Sequence, residues 1–353
     1  MSLLTPLLLA LAVAANPVLI PKSSAKALKA RGLAKANGLS IDAVINEQID
    51  NQVVSYNASV GVGSPATTYD LIIDIRSSNT WVGVGKLYVR TSTSVQTSNR
   101  VSVNYGDGSF SGTEFTDQVT IAPVHLKGTL SPAILSTVPT VTDNLFSGEL
   151  ITSNEIGISF EPTTTAESLN GELTWGGTDS SKFTGSIGFT PITGTSPANQ
   201  YWGINQSIRY STFTSILATT AGIIDSRTTL ILIATDGFNS YVRATGAVND
   251  PFTGLLSLTR FQFENLQSLF FTTNGITYEL TANAQIWPRS LNTAIGGNAD
   301  SVYLIIADFG SPSGEGFDFV NGFAFLERFY SVFDTTNKRV GFATTLFTHA
   351  TTN

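Results

Sequence analysis

The chain of 353 residues contains no cysteine, two histidines (His125 and His349) and one methionine. Without cysteine there are no disulfides, no thiolate nucleophile and no cysteine-ligated zinc. Two histidines supply little material for a histidine-rich metal site or a Ser-His-Asp triad, so neither a metal nor a cofactor is expected. Charged residues make up only 13% of the chain, about half the usual share. Acids are missing altogether from residues 1–40, where Lys22, Lys26, Lys29, Arg31 and Lys35 stand. The remaining 14 cations face 26 acids, so the body carries 14 − 26 = −12. An acidic body has no clustered cations for phosphates, which excludes nucleic acid and an anionic membrane surface as partners. Beyond the N-terminus there is no apolar run of the length that spans a bilayer.

What is present divides unevenly. Leu3–Ala14 is an apolar stretch ending in the small residues Ala12-Val13-Ala14-Ala15, the pattern of a secretory signal over residues 1–15. Asn57-Ala58-Ser59 and Asn205-Gln206-Ser207 are glycosylation sequons compatible with export. Residues 16–50 are rich in Lys and Ala and read as a basic pro-segment that folds over an acidic cleft and is released when acid protonates its partners. The alternative for 16–50 is a solvated basic helix.

After Gln52 the chain turns to short alternating strands separated by Gly, Ser, Pro and Asn: Val53–Val60, Tyr69–Ile73 and Val101–Tyr105. The class is all-β. Helices are expected only over Leu256–Leu269, Phe323–Tyr330 and Thr140–Leu145. One internal repeat stands out. Leu71-Ile72-Ile73-Asp74-Ile75-Arg76-Ser77-Ser78 matches Gly222-Ile223-Ile224-Asp225-Ser226-Arg227-Thr228-Thr229. The offset, 225 − 74 = 151 residues, is too long for a solenoid repeat and fits one copy in each of two lobes. An Asp closing an apolar strand, with hydroxyls just after it, sits on a loop whose Ser or Thr can hold the carboxylate. A single copy would read as an Asx turn closing a hairpin. Two copies, one in each of two lobes, could place the carboxylates close enough that repulsion keeps one of them protonated, so that one can serve as general base and the other as general acid.

With these residues the chain resembles the pepsin family of aspartic endopeptidases over residues 51–347. The likeness extends to Ser77-Ser78-Asn79-Thr80-Trp81-Val82, to Tyr105-Gly106-Asp107-Gly108-Ser109 and to Gly322–Asp334. The resemblance implies a bilobal β fold, 51–165 and 166–353, and a secreted monomer that cleaves peptides without a cofactor. By the same resemblance Asp74 and Asp225 are the catalytic pair. Tyr105, Gly106 and Asp107 form a flap over substrate, Trp81 bonds the flap tyrosine, and Ser77 and Thr228 complete the substrate-binding set.

Three departures oppose this. The family's Asp-Thr-Gly or Asp-Ser-Gly is here Asp74-Ile75-Arg76 and Asp225-Ser226-Arg227. Glycine serves where backbone passes close to the dyad; an arginine must swing into solvent or sit beside the carboxylates, where a cation favours the ionised form and removes the needed proton. Ile75 cannot make the hydrogen bond of the family threonine between the lobes, whereas Ser226 can. Finally, only 33 residues separate Tyr105 from Pro139 and none resembles the family's Asp-Gly-Ile-Leu-Gly, so roughly thirty family residues are missing; the second lobe keeps the counterpart as Val320-Asn321-Gly322. Two functions follow: an acid endopeptidase, or a catalytically inactive pepsin-fold homologue or peptide-binding module.

Overall fold

The computed structural model describes residues 44–52, 55–75, 80, 82, 83, 86–105, 108–121, 124–130 and 139–353, together with a segment at 10–12; over 10–12, 101–110 and 124–130 it describes the backbone alone. The strands of the first half are β1 (Ala10–Ala12), β2 (Ile45–Asn51), β3 (Tyr56–Val62), β4 (Thr67–Asp74), β5 (Val95–Tyr105), β6 (Gly108–Ile121) and β7 (Val124–Leu130). β8 (Glu155–Ser159), β9 (Ser168–Trp175) and β10 (Thr184–Pro191) follow. With β21 (Phe329–Asp334) and β22 (Arg339–Thr344) they form one sheet in the order β1-β4-β3-β2-β9-β8-β21-β22-β10, and β6 joins it through β3 and carries β5 and β7. A second sheet, β17-β16-β11-β12-β20-β13-β19, is built from β11 (Gly203–Tyr210), β12 (Thr214–Ile224), β13 (Ile231–Ile233), β16 (Leu269–Thr273), β17 (Ile276–Leu280), β19 (Ile306–Asp308) and β20 (Phe319–Asn321). β14 (Val248–Asn249), β15 (Leu256–Leu258) and β18 (Val302–Tyr303) make a small third sheet.

Burial follows the side-chain period of a strand. β3 alternates: Tyr56, Ala58, Val60 and Val62 face the core, and Ser59 faces water. β21 is buried at every position, as expected of a strand with both faces covered. The two large sheets meet at an aromatic joint, where Phe325 lies 4.8 Å from Phe329, 5.2 Å from Phe271 and 5.5 Å from Phe342 between ring centres. Such pairs add about 0.5–1.5 kcal/mol each beyond the area they bury.

Helices are short. α1 (Val141–Ser147) starts at a capping box: Asp143 N–H donates to Thr140 Oγ1 (3.1 Å) and Thr140 N–H to Asp143 Oδ2 (3.0 Å). The helix expected over Leu256–Leu269 shrinks to α3 (Arg260–Glu264), because Leu256–Leu258 is taken by the third sheet and Leu269 opens β16. Likewise Phe323–Tyr330 divides into α4 (Phe323–Leu326) and the start of β21. The longest helix among the described residues, α2 (Thr235–Thr245), was not expected from the sequence. Gly237, Asn239 and Ser240 depress its propensity, yet Phe238, Tyr241 and Val242 share one face that packs on the core, and Gly246 ends it in the left-handed conformation at φ 68°. No helix among the described residues is long and apolar enough to cross a membrane.

Candidate active site

β4 and β12 each enter the core at their C-terminal ends, Leu71–Asp74 and Ala221–Ile224 being fully buried. Asp74 and Asp225 cap these strands at 1% and 0% exposure. Ser226 ties them together. Its hydroxyl donates to Ile73 O (2.7 Å) and accepts from Ile75 N–H (3.2 Å), gripping the backbone on both sides of Asp74. The apolar Ile75 is buried at 1% exposure and makes no such bond through its side chain. Asp225 accepts from Arg227 N–H (3.0 Å) and from the Thr228 hydroxyl (2.7 Å), and its own N–H donates to Asn321 O (3.1 Å). Thr228, expected to face substrate, is therefore engaged with the carboxylate of its own loop, which is the role that hydroxyls after an Asp can play.

Arg227 turns inward. Its Nη1 lies 3.7 Å from Asp74 Oδ2, with its side chain 14% exposed. At this separation two unit charges interact by about 4 kcal/mol at an effective dielectric of about 20, and a guanidinium stays protonated throughout the acid range. Of the two alternatives for the arginine, solvent or dyad, the structure has the dyad.

The Asp225 loop rests on β20. β12 and β20 run parallel through Ile223↔Val320 and Ile224↔Asn321. At Gly322 a Cβ would collide with the carbonyls of Thr228 and Leu230, so only glycine fits. Asn321, which replaces an apolar family residue, is matched by Gln206: the two buried amides exchange bonds of 2.9 and 3.2 Å. Gln206 was missed from the sequence, although a polar residue on the apolar side of Ile204, Ile208 and Tyr210 was a visible signal. Gln206→Leu is expected to cost about 1–3 kcal/mol in urea unfolding, because the Asn321 amide is left buried and unpaired, whereas the double change with Asn321→Leu should recover most of it. A double variant no more stable than the single one would refute the pairing.

β5 and β6 form a long hairpin whose last pair is Tyr105↔Gly108. This brings the backbone of Tyr105 to the hairpin tip; its side chain, and residues Arg76, Ser77, Trp81, Gly106 and Asp107, lie outside the described residues. Among the described residues no group of three or more His, Cys, Asp or Glu side chains is placed to hold a metal. The sequence also missed Asp117 at the base of the hairpin, which accepts from Tyr88 (2.5 Å), Thr93 (2.6 Å), Ser94 (2.7 Å) and its neighbour's N–H (2.7 Å). Burial pushes this carboxyl up, but those bonds outweigh it and hold the group below the usual range, while burial and the Asp117 bond push the Tyr88 phenol up to about 12.

Comparison with known proteins decides the family. The model of eukaryotic aspartyl proteases matches residues 55–133 and 128–345. The chain belongs to this family of pepsin-like aspartic proteases. It is 61% identical to polyporopepsin of Irpex lacteus over 332 residues, 86% of this chain and 98% of that one. It is 27% identical to gastricsin of Cavia porcellus over 88% of this chain and 85% of the other. The crystal structure of the aspartic proteinase from Irpex lacteus superposes with a TM-score of 0.86 at 59% identity, covering 88% of this chain and all of that one. Pepsin-like proteases act on peptide substrates, and the bilobal β fold expected from the repeat is the fold observed.

Proposed function

We propose that this chain is an exported, pepsin-type peptide-binding protein in which peptide-bond hydrolysis by the Asp74–Asp225 dyad is suppressed. The observation that carries this reading is the Arg227–Asp74 contact of 3.7 Å. The mechanism of an aspartic dyad needs one carboxyl protonated to polarise the peptide carbonyl and one ionised to activate water. A guanidinium against Asp74 favours its ionised form. Peptide binding is a separate demand, and it is supported by the β5–β6 hairpin, whose backbone runs to the Tyr105↔Gly108 pair. Export is supported by the apolar run Leu3–Ala14 and its small-residue end. The lobes are 51–165 and 166–353, and a basic pro-segment would end before Ile45, because β2 is built into the central sheet through seven pairs with β9, from Ile45↔Trp175 to Asn51↔Ser168.

A second reading, a working acid endopeptidase, is favoured by the Ser226 grip, which spans the two loops as an active dyad requires. One experiment separates them. The secreted protein is brought to about pH 4, near the ordinary carboxylate pKa, and a protein substrate is assayed with and without a transition-state inhibitor of aspartic proteases, whose binding is also measured calorimetrically. Binding of the inhibitor without turnover is the expected result. Inhibitor-sensitive cleavage at the rate of a competent family member would overturn it in favour of the endopeptidase.

A further inference from the structure

The two sequons, Asn57-Ala58-Ser59 and Asn205-Gln206-Ser207, both fall in strands, the first in β3 and the second in β11. The fold treats them differently. Asn57 stands between β2 and β4, opposite Asp50 and Ile72. Ile72 is only 6% exposed, Asn57 itself is half-buried, and its Oδ1 is shut off from solvent without a hydrogen-bond partner. Asn205 is exposed. The next residue, Gln206, turns inward to its buried bond with Asn321, so the alternation of the strand puts Asn205 and Ser207 together on the opposite face. That face is polar: Ser207 lies opposite Thr272, whose hydroxyl shares a bond of 2.8 Å with that of Thr277. Two bonds fix Asn205 in place. Thr193 Oγ1 donates to its Oδ1 and Thr273 Oγ1 to its main-chain oxygen, both at 2.8 Å. Neither bond engages Nδ2, the atom to which a sugar is joined.

We propose that Asn205, and not Asn57, carries an N-linked oligosaccharide in the exported protein. The inference rests on the export read from Leu3–Ala14. The donor is an oligosaccharide joined through N-acetylglucosamine to a lipid pyrophosphate. Asn205 Nδ2 attacks the anomeric carbon of that sugar; a C–N bond forms and the C–O bond to the pyrophosphate breaks. The lipid pyrophosphate leaves with the bonding pair, and Nδ2 gives up one proton. Transfer of this kind acts on a chain not yet folded, so both sequons are offered to it, and the folded structure decides which product can pack. A hydrated oligosaccharide cannot enter a close-packed interior. Modification at Asn57 would force β3 away from its neighbours, whereas at Asn205 the sugar extends into water. In a chain only 13% charged, it adds hydration that charged side chains supply sparingly.

Mass mapping of the secreted protein tests this. The full chain is given a eukaryotic host's export signal ahead of its own N-terminus, so that passage through the secretory route does not depend on Leu3–Ala14. Folded protein from the medium is treated with peptide N-glycosidase in heavy-oxygen water, which converts each glycosylated asparagine to a labelled aspartate. Label at Asn205 and none at Asn57 is expected. Asn205→Gln and, separately, Ser207→Ala should each remove the whole glycan mass from the intact protein, and Asn57→Gln should leave that mass unchanged. Ser207→Ala keeps the bonds of Asn205 to Thr193 and Thr273, so it carries the test should Asn205→Gln fail to fold. Secreted protein without label at Asn205, or with label at Asn57, would overturn the proposal. Secretion of the same chain without the host signal tests the export reading by itself, so the two readings fail separately.

Discussion

Arg227→Gly is expected to raise peptide-bond hydrolysis at acid pH by about 10²–10⁴-fold over the parent chain, the range contributed by a correctly positioned and protonated acid–base group. Two carboxylates at one site repel, and that repulsion is what retains a shared proton between them. Arg227 adds a charge of opposite sign 3.7 Å from Asp74 Oδ2, and a cation there favours the ionised form of that carboxyl. Glycine withdraws both the charge and the side chain, and Ser226 still holds Ile73 and Ile75 in place. Arg227→Lys keeps the cation and is expected to stay at the parent rate, so a size effect and a charge effect separate. Because the sequence repeats the arginine at position 76, the double variant Arg76→Gly/Arg227→Gly should exceed the single one. Gain should appear in kcat with the acid-side limb of the pH–rate profile restored, while KM changes little, since the interaction removed acts on the reacting groups and not on remote substrate contacts. A folded Arg227→Gly protein with the parent's rate would refute the role assigned to the ion pair.

The site was legible in the sequence to the extent that it is local. Asp74 and Asp225, each closing an apolar run and followed by hydroxyls, announced themselves through the repeat, and Thr228 bonds its Asp as that pattern suggests. What was not legible depends on distant partners. The choice of Arg227 between solvent and dyad is decided by the other lobe, 153 positions away from Asp74 in sequence, and no local rule reaches it. Asn321 looked like a defect in an apolar strand until Gln206, 115 positions away, supplied its complement. Helices failed for the opposite reason: apolar spacing over Leu256–Leu269 fits a helix, but Leu256 and Leu258 gain more by pairing in a sheet with Asn249 on one side and Val302 on the other, and tertiary pairing overrides weak propensity. α2 shows the same override in reverse.

The free energy of unfolding is expected to fall as pH rises from about 4.5 to about 8, by an amount on the order of 3–5 kcal/mol from one residue. Glu327 sits at the end of α4, buried where the central sheet meets the second one. Burial pushes its carboxyl from 4.5 up to about 8, against the opposing pull of the Arg328 cation and of Asn51, whose amide donates to Oε1 at 3.2 Å. The Arg328 guanidinium is itself directed elsewhere, to the carbonyls of Phe347 (3.1 Å) and Ala350 (2.9 Å). The sign follows from proton counting. Between the two values the folded chain keeps a proton that the unfolded chain has released, so folding takes up a proton and is favoured by acid. The full contribution is present below about 4.5 and is gone above about 8. Glu155, Glu161 and Glu172 are also raised, in each case with burial as the leading cause, and act in the same direction. Opposing them, Asp117 and Asp334 are lowered despite burial, because hydrogen bonds hold their ionised forms, and they withdraw stability only as pH drops through the usual carboxylate range. Against a total of about 5–15 kcal/mol for an ordinary domain, Glu327 alone tilts stability appreciably toward acid pH. Urea unfolding of the full chain at a series of pH values should show the decline. Glu327→Gln should flatten it, since an amide accepts from Asn51 equally well and never ionises, leaving stability near pH 5 almost unchanged and raising it near pH 8. A parent chain whose stability is level or rising over that interval, or a Glu327→Gln variant with the parent's slope, would contradict the assignment.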